Sequence, residues 1–412
     1  MAFAPRRRAR RLFAYWRSEQ RTLRQGFVAL LISTGAALVA GITLGSISHT
    51  LLVLPGLFIL IPAAVGMRGT IFGAIGARFG TSTHAGLFDV TWRRNGILYQ
   101  NVFVGVVTTF SSSLLLAALA KLSAEAFGLT SISFFDFVTI SVLGGVLGSA
   151  AIMGLTLGLS VLAYRRGYDL DTVSTPLVTA SGDMVTVPTL YLATFLVRFH
   201  YVNLTVAILS IVVCLYATIR GALTDLPLAR RAILEMAAVI LLTPLLDILA
   251  GTVVEPRLHR FALFTGLLVI IPPLVSDAGA LGGILSSRLS SKLHLGVLSP
   301  RGWPEGPAFL DASLVMGFGI VAFSAVGVLG YVYSLFVGRS LGPMVMIGGT
   351  LVAGMISTII AIVVSYYVAV WTWRFGLDPD NHAVPIITSV MDLAGVITFL
   401  FVLSLFGVAT HG

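Results

Sequence analysis

LFILIPAAVGMRGTIFGAIGARFGTSTHAG, residues 57–86, returns as LLVIIPPLVSDAGALGGILSSRLSSKLHLG, residues 267–296. A displacement of 210 residues superposes Leu57 on Leu267, Ile61 on Ile271, Pro62 on Pro272, Gly69 on Gly279, Gly73 on Gly283, Arg78 on Arg288 and His84 on His294. A second pair recurs at a displacement of 209: GYDLDTVSTPLVTASGDMV, residues 167–185, against GLDPDNHAVPIITSVMDLA, residues 376–394. There Asp169 meets Asp378, Asp171 meets Asp380, Pro176 meets Pro385, Thr179 meets Thr388 and Asp183 meets Asp392. Two signatures kept in order and at nearly one offset report duplication of a large unit rather than of one motif.

The duplicated unit is a set of membrane spans. Of the 412 residues, 57% are hydrophobic and 10% charged, where a soluble domain carries roughly 25% charge. Apolar runs of about 20 residues, enough for a helix to cross a bilayer, recur from Gly26 onward. We expect eleven spans, near 27–48, 52–77, 100–120, 134–163, 174–197, 202–219, 232–252, 261–285, 309–336, 343–371 and 384–407. The single cysteine, Cys214, lies inside such a run, which excludes a disulfide framework and a cysteine metal site.

Charge sets the expected orientation. Residues 1–25 carry Arg6, Arg7, Arg8, Arg10, Arg11, Arg17, Arg21 and Arg24, and basic flanks stay cytoplasmic. With that arm inside, Arg78, Arg93, Arg94, Arg165, Arg166, Arg220, Arg230, Arg231, Arg288, Lys292, Arg301 and Arg374 also fall inside. Lys121, Arg198, Arg257, Arg260 and Arg339 fall outside, and Arg68 lies within a span. The net charge of +9 is therefore a topology signal and not a nucleic-acid footprint. The arm is a solvated topology determinant that can also meet anionic lipid headgroups.

Five spans in each copy would turn the second copy over. The extra apolar segment within 202–219 restores the sense of crossing, so both copies face the same way and a pseudo-twofold axis runs along the membrane normal. The expected fold is an all-α integral membrane protein: two parallel five-helix repeats joined by a connecting helix, a fused pseudodimer. Its domains are a basic cytoplasmic arm (1–25), a first repeat (26–200), a connecting helix and loop (201–228) and a second repeat (229–412).

Ionisable residues at membrane depth are costly and point to a pathway or site. Asp183 and Asp392 are symmetry mates in the last span of each repeat. Facing each other across the axis they would repel unless a cation sat between them, and a hydrated Mg²⁺, which favours one or two carboxylates plus retained waters, suits so sparse a site. The alternative is that each caps a broken helix or pairs with an arginine of its own half. Thr179, Ser181, Thr186, Thr388 and Ser389 flank these acids and either offer oxygens to the ion or bond their own helix backbone. Gly69 and Gly279, in glycine-rich second spans, either allow close packing or an unwound stretch lining the pathway.

Asp247 and Asp277 also lie at membrane depth, without acidic mates: Ala37 stands opposite the first and Met67 opposite the second. Arg68, opposite Ala278, either neutralises a carboxylate or snorkels to an interface. Asp169, Asp171, Asp378 and Asp380 precede the final spans, as helix caps or as an acidic vestibule. His84 and His294 stand among Ser and Thr, without the company a metal site needs, and read as structural.

The stretch DPDNHAVPIITSVMDL (378–393), its looser copy DLDTVSTPLVTASGD (169–183) and the segments ending in ARFGTSTH and SSRLSSKLH resemble the MgtE family of magnesium channels and transporters, most closely the tandem-fused solute carrier family 41 type. The resemblance implies a cation pathway between the two halves, with Asp183 and Asp392 on a hydrated Mg²⁺. Where the family tends to have a Gly-Asn pair, this chain has Gly69-Thr70 and Gly279-Ala280. The resulting expectation is a divalent-cation transporter in the cell membrane, not an enzyme, with no organic cofactor and no nucleic-acid partner, sufficient as a monomer. Its rivals are a cation/proton or cation/sodium exchanger using Asp277 or Asp247, and a membrane enzyme acting on lipid phosphate.

Overall fold

The computed structural model describes residues 16–17, 20–84, 91–166, 170–376 and 379–408. The long helices are α1 (Gln20–Ser46), α3 (Leu57–His84), α4 (Ile97–Ala126), α5 (Phe134–Arg166), α6 (Leu170–Val197), α7 (His200–Ala222), α8 (Pro227–Val254), α10 (Thr265–His294), α11 (Gly306–Val337), α12 (Thr350–Phe375) and α13 (Pro379–Leu405). Two short helices, α2 (Ser48–Val53) and α9 (Leu258–Leu263), lie between them. No strand occurs among the described residues. Among the described residues eleven helical segments are long and apolar enough to cross a bilayer, as the sequence predicts.

The second span differs at its start. The apolar run from residue 52 predicts one continuous helix, but Gly56 adopts φ +83, a conformation that favours glycine, and α3 begins after it at Leu57. The residues before the break form α2. Its copy α9 lies 210 residues on, ahead of α10. Beyond these breaks α3 and α10 run as uninterrupted helices through Pro62 and Pro272, so the glycines of the second spans pack and do not unwind. The tenth span opens with a π-helical turn, Met344–Gly349. It rests on Gly327, where a β-carbon would meet Ile347 Cα at 2.8 Å.

The chain forms two compact units that divide inside α1 and α10: Ala36–Pro272 in the larger, Met1–Gly35 with Pro273–Ala409 in the smaller. In the larger unit α3 packs on α6 and α8, α5 packs on α6, and α4 packs on α5 and α8. Helix α8 opens the second copy, yet it lies among the helices of the first. The smaller unit shows the reverse exchange. The first half of α1 lies against the second copy, with the Phe27 and Phe318 rings 6.3 Å apart and Trp16 Nε1 donating to Ser313 Oγ at 3.2 Å.

Contacts inside the larger unit reveal the symmetry. A β-carbon on Gly41 of α1 would stand 2.2 Å from the Val269 carbonyl oxygen in α10, and one on Gly251 of α8 would stand 2.7 Å from the Ile59 Cα in α3. Gly41 and Gly251 are 210 apart, as are Ile59 and Val269. Reciprocal contacts of this kind define an isologous, twofold interface. Helix α2 also touches its own copy α9. Because α1 ends where α10 begins and α8 ends where α3 begins, α1 and α8 finish at one side, and the two copies run parallel.

Helix α7, between the copies, packs on α4 and α5, but only 28% of its span is buried. Ile208, Leu209, Val212, Leu215 and Tyr216 are exposed, a lipid-facing surface. Its polar anchor is Asn203, which donates to Asp136 Oδ1 at 2.6 Å. Asp136 in turn shares a reciprocal cap with Ser133 at the start of α5, with bonds of 3.0 and 3.2 Å.

Candidate ion pathway

Close approach of the second and final spans builds the candidate site in each copy. In the larger unit α3 and α6 meet at Gly69 and Gly182, where a β-carbon on Gly182 would stand 3.4 Å from the Gly69 nitrogen. Asp183 follows directly and is buried, 9% exposed. In the smaller unit α10 meets α13 at Gly279, where a β-carbon would stand 3.3 Å from Thr388 Cα, and again at Gly395 against Val275. Asp392 lies between Thr388 and Gly395 and is half-buried. Within each copy the second and final spans therefore meet near expected residues: Gly69 meets Gly182, the neighbour of Asp183, and Gly279 meets Thr388.

The hydroxyls bond their own helices. Ser181 Oγ donates to the Val178 carbonyl at 2.7 Å, Thr186 Oγ1 to Gly182 at 2.6 Å and Thr388 Oγ1 to Pro385 at 2.9 Å. Ser389, next to Thr388 in the chain, is buried. A hydroxyl whose hydrogen is committed to the backbone presents only lone pairs to the other side. Such oxygens accept from water and suit a hydrated cation, whose outer hydrogens all point outward. Among the described residues no group of three His, Cys, Asp or Glu side chains is placed to chelate a bare metal ion.

Asp277 is fully buried on α10, with Thr34 Oγ1 of α1 at 3.0 and 2.9 Å from its two carboxylate oxygens. Asp247 is buried on α8 in the larger unit. The main chains of Asp171 and Asp380 lie in the first turns of α6 and α13; their side chains and that of Thr179, with the whole of Asp169 and Asp378, lie outside the described residues. So does the side chain of His84. Its mate His294 has Nδ1 at 2.9 Å from the Ser290 carbonyl, a local contact.

Arg68 does not snorkel to an interface. It is 5% exposed, and its Nη1 donates to the Ala64 carbonyl at 2.9 Å, one turn back. The guanidinium lies over α5, where β-carbons on Gly145 and Gly148 would stand 3.3 Å from Nη2 and 3.1 Å from Nε.

The sequence reading missed a duplicated clamp on the helix after the second span. Arg78 Nε donates to Asn101 Oδ1 at 2.7 Å. The 210-displaced pair is Arg288 and Asp311, joined at 2.8 Å, with Lys292 Nζ adding a 2.6 Å bond to the other carboxylate oxygen. Extending the repeat past His84 and His294 aligns Asn101 with Asp311, polar residues in otherwise apolar runs, and that alignment would have found them. Gln100 beside the clamp accepts from the Leu228 and Ala229 nitrogens, both at 3.1 Å, and caps α8.

The fold defines a polytopic membrane protein of two parallel copies, each packing its final span closely on a glycine-rich second span. The chain belongs to the MgtE family: the family model, described as a divalent cation transporter, matches residues 61–193 and again 271–402. It is similar to solute carrier family 41 member 3 of Rattus norvegicus, 26% identical over 400 residues that cover 89% of this chain and 84% of that protein. The Mus musculus member 3 is 27% identical over 82% of this chain and 73% of its own. Solute carrier family 41 member 2 of Homo sapiens is 23% identical over 90% of this chain and 68% of its own. No solved structure matches the chain.

Proposed function

We propose that this divalent cation transporter carries Mg²⁺ as a hydrated ion held by Asp183 and Asp392. The carrying observation is that each acid stands in its final span within four residues of a close contact between that span and the second span, Asp183 after Gly182 and Asp392 between Thr388 and Gly395. Paired carboxylates supply two negative charges without a full ligand shell, which suits an ion that dehydrates reluctantly. Ser181, Thr186 and Thr388 turn lone pairs toward its waters, assisted by Thr179 and Ser389. Gly69 and Gly279 keep the walls thin, and Asp247 and Asp277 add negative charge at membrane depth.

In this reading the repeats 26–200 and 229–412, tied by 201–228, act as one pseudodimer, so a monomer suffices. The arginine arm keeps the N-terminus cytoplasmic in the cell membrane and rests on anionic lipid. Asp169, Asp171, Asp378 and Asp380 form an acidic approach that concentrates cations. Flux into proteoliposomes tests the proposal, comparing Mg²⁺, Ca²⁺ and Mn²⁺ for the parent, Asp183→Asn, Asp392→Asn and the double variant. Each single change should lower Mg²⁺ flux at least tenfold and the double should abolish it. Undiminished flux in a folded double variant removes these acids from the mechanism.

A further inference from the structure

Where the connecting helix α7 turns into α8, the larger unit has an open cavity of about 670 Å³ lined by Arg93, Arg94, Asn95, Asp225 and Leu226. Binding sites for small molecules are of this size. The two sides of the cavity are fixed to each other. The Gly96 nitrogen donates to the Arg93 carbonyl at 2.8 Å and closes the turn that carries both arginines. Helix α4 begins directly after that turn, and Gln100 in its first turn accepts from the Leu228 and Ala229 nitrogens at the start of α8.

The lining keeps a positive charge. Among the described residues neither Arg93 nor Arg94 forms an ion pair, and Asp225, the one acid in the lining, lies beyond ion-pair distance of both. Arg220 in the last turn of α7 and Arg230 in the first turn of α8 stand on either side of Asp225 in the chain, and both are exposed. Two guanidiniums beside one cavity match a phosphate, which each can hold through paired N–H donors. The residues 210 positions after Arg93 and Arg94 are Trp303 and Pro304, so the second copy does not repeat the pair.

The adjoining surfaces show which phosphate fits. Val212, Tyr216, Ile219 and Leu223 are all exposed, and their helical spacing makes one apolar stripe along α7 that ends two residues before Asp225. Trp92, next to Arg93 in the chain, is exposed with its ring 6.0 Å from that of Tyr99, an aromatic pair of the kind that settles at a membrane–water boundary. An anion from solution makes no use of the stripe or of the rings; a lipid uses both. We propose that the cavity binds the phosphate headgroup of an anionic phospholipid whose acyl chains lie along the α7 stripe, and that this lipid fastens the connecting segment to α4. Basic pockets at the ends of membrane helices take such headgroups. The site is independent of which ion the protein carries.

The test titrates the full chain in detergent with dioleoylphosphatidylglycerol or dioleoylphosphatidylcholine and reads the unfolding midpoint and, by mass spectrometry of intact complexes, the lipid retained. The anionic lipid should raise the midpoint with one molecule held per chain, and the neutral lipid of identical chains should not. Arg93→Gln with Arg94→Gln should raise the half-maximal phosphatidylglycerol concentration about tenfold or more, since one basic residue at an anionic lipid surface is worth about fivefold. Asp225→Asn should lower it severalfold. Arg198→Gln, an exposed position at the other end of α7, should leave it unchanged. An equal loss in Arg198→Gln would mean diffuse charge attraction and overturns the proposal, as does equal response to the two lipids. Protection by inorganic phosphate as strong as that by phosphatidylglycerol makes this a site for a soluble anion and overturns it too. Should the double arginine variant fail to fold, Asp225→Asn decides, and an unchanged half-maximal concentration there ends the proposal.

Discussion

Gly251 lies on the main chain of Ile59, so close that a β-carbon on it would stand 2.7 Å from both the Ile59 Cα and its carbonyl oxygen. The symmetry mate Gly41 meets Val269 more tightly still, at 2.2 Å from the carbonyl oxygen. In both cases the obstacle is backbone, which cannot rotate away as a side chain can. These two points fasten the opening helix of each copy to the second span of the other.

Gly41→Ala and Gly251→Ala should each cost about 2 kcal/mol or more through overpacking, read as a lower unfolding midpoint in detergent. Gly154→Ala is the control. A β-carbon there meets nothing within 4 Å, and alanine is the better helix former, so that variant should be neutral or slightly more stable. Equal midpoints for all three would mean that the close contact of the copies does not hold the fold.

The two copies use one clamp with different chemistry, and the difference is testable by exchange. Asp311 is fully buried between Arg288 and Lys292, which are themselves 17% and 21% exposed. The first copy has a neutral amide, Asn101, at the matching place and Ser82 where the second has Lys292. Asp311→Asn alone leaves two cations facing one amide and should cost about 2–4 kcal/mol. Adding Lys292→Ser reproduces the first copy, with Arg288 facing an amide as Arg78 does, and should recover at least half of that loss. Chemical denaturation of the single and double variants checks this, and an equal loss in both would show that the clamp is not interchangeable.

Much of this arrangement is legible in residue order because the bilayer leaves few choices. Apolar length predicts the spans, and an even displacement along the chain predicts the copies. The parallel sense follows from one extra span, and the contacts of Gly41 and Gly251 agree with it. What was not legible depends on partners distant in sequence. Nothing local to Arg68 says that its guanidinium lies beside Gly145 and Gly148, so the sequence offers it only an acid partner or an interface. The exchange of α1 and α8 is equally silent in the sequence, since an apolar helix packs as well on its own copy as on the other. The break at Gly56 was hidden because apolar residues on both sides of it read as one run.

The direction of the hydroxyl bonds bears on which form of the ion is handled. Ser181, Thr186 and Thr388 give their hydrogens to carbonyls within their own helices, so what they show a visitor is acceptor oxygen. A hexahydrated Mg²⁺ presents only O–H donors, and a hexaammine cobalt(III) ion, similar in size, presents only N–H donors on ligands that do not exchange. If the ion is recognised through its water shell, hexaammine cobalt(III) should compete with Mg²⁺ for binding and inhibit flux. Thr186→Val and Thr388→Val should each weaken that inhibition severalfold, since each deletes an acceptor worth about 1 kcal/mol. Direct coordination of a stripped ion predicts the opposite, because an inert complex cannot shed ligands to enter. Flux measured against increasing cobalt complex separates the two: absence of inhibition would assign the carboxylates to a dehydrated ion.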